Sequence, residues 1–255
     1  MRPIFYKKGL LRVAETWFQD APSPPIADIV RCVQIAAPLD GVNCDEFSTL
    51  VVDLTAADDA ILAAMDSSTR YEIRRAQTKD ELRYQHRPIR RFEDMREFLT
   101  AYELHVVSRS DALSINRTKI VHLAQSGQLD LSITLDKEGI ALTRHVHILG
   151  GGTARLLYSV SEASRSVDRE RRNLCGRGNR LHHWLDMQRF KSAGANRYDF
   201  GGFYTGVTDT KKLKINEFKR GFGGQLTLTY NCVYPLTLKG RMALAAWRLL
   251  RLRER

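Results

Sequence analysis

The chain has 255 residues, with 40 lysines and arginines against 29 aspartates and glutamates, and a net charge of +11. Its apolar content of 43% and charged content of 27% are close to those of globular proteins, which excludes wholesale disorder. The sequence has no apolar run of about 18 residues, so no conventional transmembrane helix is expected. The positive surplus predicts an anionic partner, such as a nucleotide, RNA or an anionic membrane face.

The N-terminus and the cysteines bear on cellular location. The segment MRPIFYKKGLL starts basic but lacks the apolar stretch and the cleavage site of a signal peptide. Cys32, Cys44, Cys175 and Cys232 are scattered without CxxC spacing, so we expect reduced thiols. Together these features predict a cytoplasmic protein.

The first half of the chain predicts two strands followed by helices. A proline-rich break at residues 22–25 precedes a β-branched run at 29–35, and a second such run covers 48–54. Thr55 is a favourable N-cap for a helix that reaches about Met65. Further helical patterns occupy residues 68–76, 91–107 and 116–126.

The second half contains the clearest strand pattern. Apolar and polar residues alternate over 129–135, and runs at 140–149 and 154–160 follow after short turns, which predicts an antiparallel meander. A helix from about Asn179 to Ala193, a short strand at 197–200 and a last strand at 225–230 complete the pattern. This order predicts an α+β fold in which a helix packs on a mixed, mostly antiparallel sheet.

The segment Asn173-Leu-Cys-Gly-Arg-Gly178 lies between the meander and that helix. A glycine loop ahead of a helix N-terminus lets backbone N–H groups approach phosphate oxygens, and nearby arginines add donors. An ordinary turn is the alternative. In this position the segment resembles motif A of the GNAT acyltransferase superfamily, with Asn173 where that family has glutamine or arginine.

Three segments are similar to the Fem-like branch of that superfamily. Arg-Tyr-Asp-Phe-Gly-Gly at 197–202 and Ile-Asn-Glu-Phe-Lys-Arg-Gly-Phe-Gly-Gly at 215–224 resemble its C-terminal signature, and residues 68–76 resemble its Arg-x-x-Ile-Arg-Lys-Ala segment. The resemblance implies a GNAT fold over residues 47–235. Residues 1–46 are then N-terminal strands from a degenerate first half, and residues 236–255 form a basic amphipathic helix.

The resemblance also implies the site residues. Acyl-CoA, as a co-substrate rather than a bound cofactor, is expected on Asn173, Cys175, Gly176, Arg177, Gly178 and Asn179. The candidates for catalysis are Lys219 for the oxyanion, and Asp199, Glu217 and His145 for the proton. The candidates for binding the substrate are Arg70, Arg74, Arg75, Tyr204 and Phe218.

Each of these assignments has a structural alternative. Asp199 could cap the turn at residues 201–202, and Glu217 could pair with Arg220. The histidines at 145 and 147 could be core or surface residues, and those at 182 and 183 are expected on the surface. No third ligand accompanies them at metal spacing, so no metal site is expected.

The Fem resemblance predicts direct acyl transfer from acyl-CoA to an amine or hydroxyl of a cell-envelope or polysaccharide precursor, which would be phosphorylated or a sugar nucleotide. One alternative is an amino-acid transferase that depends on aminoacyl-tRNA. Another is a non-catalytic basic module that binds membrane or RNA. The basic segment 238–255 predicts peripheral contact with an anionic inner membrane.

Overall fold

A computed structural model describes residues 3–19, 26–107, 115–166 and 168–253. In these residues the chain forms ten strands and seven α-helices. The strands are β1 (Ile4–Lys8), β2 (Leu11–Trp17), β3 (Ile29–Ile35), β4 (Asn43–Asp53), β5 (Arg83–Ile89), β6 (Leu129–Leu135), β7 (Ala141–Gly150), β8 (Thr153–Ser161), β9 (Arg197–Gly202) and β10 (Gln225–Pro235). The helices are α1 (Asp58–Ala64), α2 (Ser67–Lys79), α3 (Arg96–Val107), α4 (Arg117–Gln125), α5 (Arg169–Ser192), α6 (Thr210–Arg220) and α7 (Leu238–Arg253).

All ten strands belong to one mixed sheet, in the order β1-β2-β3-β10-β4-β9-β8-β7-β6-β5. The pairs β2–β3 and β8–β9 are parallel and the other neighbours are antiparallel. The predicted α+β architecture and its antiparallel meander, β6–β7–β8, are confirmed. The N-terminal strands continue the same sheet beyond β10.

Helices cover both faces of the sheet. On one face α1, α2 and α5 pack against β4 and β9, with Ile61, Ile73, Trp184 and Tyr198 in a common core. On the other face α3 and α4 pack against β6 and β7 in a second core. Because side chains alternate along a strand, Tyr198 and Phe200 of β9 face α5, and the residue between them faces the opposite side.

Several elements differ from the sequence prediction. Helix α5 begins at Arg169 instead of near Asn179, because Asp168 caps it. Helix α1 begins at Asp58, and Thr55 binds Asp53 instead of capping it. Strand β5 was not predicted, because it is a mostly polar and exposed edge strand. The predicted break at residues 22–25 lies outside the described residues.

The cysteine prediction also needs correction. Cys44 and Cys232 face each other in the register of β4 and β10 and form a disulfide. Cys32 and Cys175 are buried free thiols. In the described part of the chain, no helix has both the length and the apolar character that a bilayer crossing requires.

The parallel strands β8 and β9 pair over a short stretch and then separate. Their register runs from Thr153 opposite Arg197 to Arg155 opposite Asp199. Beyond that point β8 continues to Ser161, while β9 stays paired with β4. The divergence opens the sheet beside Asp199.

Candidate active site

Asp199 lies at this divergence with a buried carboxylate held by three neighbouring donors. The carboxylate accepts hydrogen bonds from Gln34 Nε2 at 2.8 Å and from the Gly201 N–H at 2.6 Å. The Thr49 hydroxyl also lies within hydrogen-bond distance of it. The turn-capping role anticipated for Asp199 is therefore present. The contacts from Gln34 and Thr49 also fix the carboxylate in one orientation.

Lys219 reaches the same turn from α6. Its ammonium donates to the carbonyl oxygens of Gly201 and Gly202. Burial lowers the pKa of Lys219 to about 8, with nearby Arg155 acting in the same direction and Asp199 opposing it. The structure thus brings two of the predicted catalytic residues, Asp199 and Lys219, to one turn.

Gly201 makes this close arrangement possible. Its φ is +74°, in the left-handed region that glycine adopts without a steric penalty. A Cβ at this position would lie 3.1 Å from the Leu156 carbonyl oxygen on β8. The turn therefore needs glycine to let β9 approach the point where β8 departs.

Arg155 supplies a second cation that was not predicted from the sequence. It lies opposite Asp199 in the β8–β9 register, and its guanidinium is 5.3 Å from the ring centre of Trp17 and 5.7 Å from that of Phe47. Arg155 Nε is buried without a hydrogen-bond partner. A buried donor in this position is available to an oxygen of a bound substrate.

Gln34, on β3, adds an acceptor to the same site. Its Oε1 is buried without a hydrogen-bond partner, while its Nε2 binds Asp199. Gln34 and Phe18 both have positive φ, 53° and 61°, and such strain in non-glycine residues clusters at functional sites. Phe18, Gln34, Thr49 and Asp199 also line a cavity of about 240 Å³.

The predicted phosphate loop is wrong. Residues 173–179 lie inside α5, where backbone N–H groups bind the carbonyl oxygens one turn earlier. Gly178 and Cys175 are buried, Asn173 is exposed and Gly176 is half-buried. Burial raises the pKa of the Cys175 thiol. These residues therefore do not form a pyrophosphate cradle.

The arginines and the start of α5 are also occupied. Arg177 forms a bidentate ion pair with Asp80: its Nε and Nη2 donate to the carboxylate oxygens at 2.6 and 3.0 Å. The N–H groups of Glu170 and Arg171 are bound by the Asp168 carboxylate. A helix N-terminus favours an anion, and here the chain's own carboxylate takes that position.

Gly178 instead allows α5 to lie close to the sheet. A Cβ there would be 3.0 Å from Leu142 Cδ1 and 3.4 Å from Leu82 Cδ1. We expect Gly178→Val to lower the free energy of unfolding by about 1–3 kcal/mol through overpacking. The control Gly176→Val has only an Arg180 side-chain atom at 4.0 Å and should cause less than half that loss. Equal losses in thermal unfolding of the two variants would contradict the packing role.

His145 lies in the core under α5, on the side of the sheet opposite the Asp199 side chain. Its Nδ1 is 2.8 Å from Asp186 and its Nε2 is 3.0 Å from Asn179 Oδ1. His182 and His183, expected on the surface, are buried beside it. They contact polar side chains of the sheet: His182 binds Thr143 and Ser132, and His183 binds the Tyr198 hydroxyl.

His145, His182 and Asp186 are close enough to be considered as metal ligands. The two imidazole rings, however, stack at 3.7 Å with an interplanar angle of 9°. Ring nitrogen lone pairs lie in the ring planes, so those of two parallel rings do not converge on one ion. The group is better described as a hydrogen-bonded core.

The predicted substrate-binding arginines divide into two groups. Arg70 donates to the carbonyl oxygens of Ala63 and Met65 and so closes the end of α1. Arg74 and Arg75 are exposed on α2. The structure gives Arg70 a structural contact and leaves the other two accessible to a ligand.

The remaining predicted residues lie on or near α6. Tyr204 is tied through its backbone to the Asn216 side chain, and its hydroxyl is 3.3 Å from Thr208. Phe218 packs against Phe222 and His183. Glu217 is exposed.

A meander, a long helix after its last strand, and a parallel strand that diverges from that strand define a GNAT-like fold. Solved structures of other proteins share this fold. FemX has 13% sequence identity and a TM-score of 0.66, with 92% of this chain and 84% of that chain covered.

Two further solved structures share the fold. The C-terminal domain of a putative lysylphosphatidylglycerol synthetase from Agrobacterium fabrum has 14% identity and a TM-score of 0.56, with coverage of 97% and 85%. L-PGS from Bacillus licheniformis has 13% identity and a TM-score of 0.51, with coverage of 95% and 84%. No protein-family model and no curated protein matches the sequence.

Proposed function

We propose that this protein transfers an aminoacyl group from aminoacyl-tRNA to an amine or hydroxyl of a cell-envelope component. The observation that carries the proposal is the meeting of Asp199 and Lys219 at the turn where β8 and β9 diverge. It supplies a carboxylate for the proton and a cation for the oxyanion, side by side. Acyl transfer by direct attack needs both functions.

The surroundings favour tRNA over CoA as the donor. The segment expected to hold the CoA pyrophosphate is helical, and Asp168 occupies the start of α5. Helix α6, which carries Lys219, has five cations and one carboxylate. An exposed basic helix beside the reaction centre fits the phosphates of an RNA 3′ end.

The reaction balances without a covalent enzyme intermediate. The acceptor's nitrogen or oxygen bonds to the ester carbonyl carbon and gives its proton to Asp199. Lys219 and Arg155 stabilise the negative charge that develops on the carbonyl oxygen. The carbon–oxygen ester bond then breaks, and the tRNA hydroxyl leaves with the proton that Asp199 accepted.

The acceptor is proposed from the fold neighbours. The name lysylphosphatidylglycerol synthetase describes aminoacylation of a phospholipid, and we extend that acceptor class, a membrane or envelope component, to this protein. A phosphorylated or sugar-nucleotide acceptor presents the same amine or hydroxyl. The exposed Arg74 and Arg75 lie on α2, on the side of the sheet opposite the Asp199 carboxylate, so we do not expect them to hold its phosphate.

The donor is identified by measuring the transfer of a radiolabelled aminoacyl or acyl group to components of a bacterial envelope extract. We expect the purified protein to transfer radiolabelled amino acids from charged tRNA, with loss of transfer after RNase treatment. Transfer should fall steeply with salt, since phosphate contacts release counterions. Labelled acetyl-CoA and longer acyl-CoA thioesters serve as the competing donors.

The outcomes separate the candidate donors. Transfer from acyl-CoA but not from charged tRNA would contradict the tRNA assignment and leave acyl transfer standing. Binding of RNA or lipid without transfer from either donor would favour the non-catalytic alternative.

A further inference from the structure

A separate cavity of about 630 Å³ lies between the N-terminal strands and α7. This volume falls within the range of small-molecule sites. Strands β1, β2, β3 and β10 form its floor, α4 contributes Lys119, and α7 contributes Ala243, Leu244 and Trp247. Most of its lining is apolar, including Leu11, Val13, Trp17, Val33, Val233 and Leu244.

A charged cluster forms one end of the cavity. Glu15 is fully buried and accepts from Lys119 and Trp17 Nε1 at 2.7 Å, and from Arg31 and the Tyr6 hydroxyl at 3.1 Å. Burial alone would raise the pKa of Glu15, but Lys119 and Arg31 hold it below its usual value. The Glu15 carboxylate is thus ionised and forms ion pairs with two cations, Lys119 and Arg31.

This cluster retains a positive charge that faces the cavity. One carboxylate neutralises one of its two cations, and the Arg31 side chain remains 44% exposed while that of Glu15 is 0% exposed. At the rim the exposed Lys8 and Asp45 carry opposite charges. The net charge of the lining together with Glu15 behind it is +1, and an anionic group beside Arg31 and Lys119 would balance it.

Exposed apolar side chains occur on two of the segments that bound the cavity, the β1–β2 turn and α7. Leu10 is 85% exposed, Leu238 is 73% exposed and Met242 is 67% exposed. Lys239 bonds to the Leu10 carbonyl oxygen, which joins α7 to the turn between β1 and β2. Exposed apolar residues interspersed with Lys239 and Arg241 are typical of a surface that lies on an anionic bilayer.

We propose that this cavity binds a membrane-derived amphiphile, with an anionic head at Arg31 and Lys119 and one aliphatic chain under α7. A phospholipid and a free fatty acid share that chemistry. The apolar lining takes the chain, the cation pair takes the head, and the exposed leucines and methionine allow entry from a bilayer.

The cavity adjoins the reaction centre through Trp17. Its ring lies 4.6 Å from Lys119 Nζ and 5.3 Å from the Arg155 guanidinium. A bound head group would therefore sit one aromatic side chain away from Arg155. The binding proposal stands apart from the transfer reaction, because binding is measured without a donor or turnover.

Tryptophan fluorescence provides the test, since Trp17 and Trp247 line the cavity and Trp184 lies in the core under α5. The probes are lysophosphatidylglycerol, lysophosphatidylcholine and a fatty acid, each with a brominated chain and used below micelle concentration. We expect saturable quenching by lysophosphatidylglycerol, by the fatty acid, or by both. Quenching by only one of them identifies the source of the anionic head.

Two variants of α7 make the test specific. Ala243→Phe fills the cavity and should weaken binding at least about 10-fold, by the loss of chain burial. Ala246→Phe, on the same helix but exposed and outside the lining, should leave binding unchanged. Arg31→Gln should also remove the preference for anionic over zwitterionic amphiphiles.

Three results would overturn the proposal. The first is that neither anionic probe gives saturable quenching. The second is that lysophosphatidylcholine binds as tightly as the anionic probes. The third is that the Ala243→Phe and Ala246→Phe variants bind the anionic probes with equal affinity. Circular dichroism of each variant establishes that it is folded. None of these results bears on transfer at Asp199 and Lys219.

Discussion

Lys219→Ala should lower kcat for aminoacyl transfer by about 10²–10³-fold, the usual effect of removing one oxyanion donor. The KM for the donor should change much less, because the ammonium acts on charge that develops during the reaction. Lys214→Ala on the exposed side of α6 is the matched control: loss of its phosphate contact should raise the KM for charged tRNA, while kcat stays near normal. Equal effects of the two substitutions in a steady-state assay would remove Lys219 from the mechanism.

The pH profile distinguishes a charged Lys219 from a neutral one. Its pKa is lowered to about 8 by burial, so the ammonium fraction declines as the pH rises through that value. Activity should therefore fall on the alkaline side near pH 8. Lys219→Arg keeps the charge and should move this limb upward, since a guanidinium does not deprotonate in this range. An unchanged alkaline limb in Lys219→Arg would contradict the assignment.

Asp186→Ala should destabilise the fold by about 2–5 kcal/mol, because two buried donors lose their acceptor. Asp186 is fully buried and accepts from the Tyr84 hydroxyl at 2.6 Å and from His145 at 2.8 Å. Its removal leaves both donors in the core under α5 without their acceptor. Urea unfolding monitored by circular dichroism gives the change directly.

The control for this prediction is an exposed ion pair that joins α1 to α5. Asp58 contacts Lys191 at 2.7 Å, with its carboxylate 42% exposed. Asp58→Ala should cost less than about 1 kcal/mol, as exposed pairs do. Comparable losses for Asp58→Ala and Asp186→Ala would show that the buried histidine cluster adds little to stability.

Local sequence patterns predicted the parts of the fold that depend on local chemistry. The alternation in residues 129–135 predicted β6 and its buried face, because a strand repeats every two residues. The signature around Asp199 and Lys219 pointed to the two residues that meet at the β9 turn. Neither inference required knowledge of the strand order.

The errors occurred where long-range packing decides the structure. Gly176 and Gly178 suggested a loop, yet Gly178 serves the packing of α5 on Leu142, a contact that the local sequence does not reveal. His182 and His183 appeared polar enough for the surface, but Thr143, Ser132 and Tyr198 provide hydrogen bonds in the interior.

The missed site residues have the same origin. Gln34 reaches Asp199 only because β3 joins the sheet beside β10, 165 residues away from Asp199 along the chain. Arg155 is the one charged residue of β8, which is a weak sequence signal. The Cys44–Cys232 disulfide likewise depends on the β4–β10 register.

A crystal structure with a hydrolysis-resistant aminoacyl-tRNA 3′-end analogue, in which an amide replaces the ester, tests the central claim most directly. We expect the analogue's carbonyl oxygen to lie about 3 Å from Lys219 Nζ. The face of the carbonyl that the acceptor attacks should be open toward Asp199. Binding of the analogue away from the β8–β9 divergence, with its carbonyl remote from both residues, would contradict it.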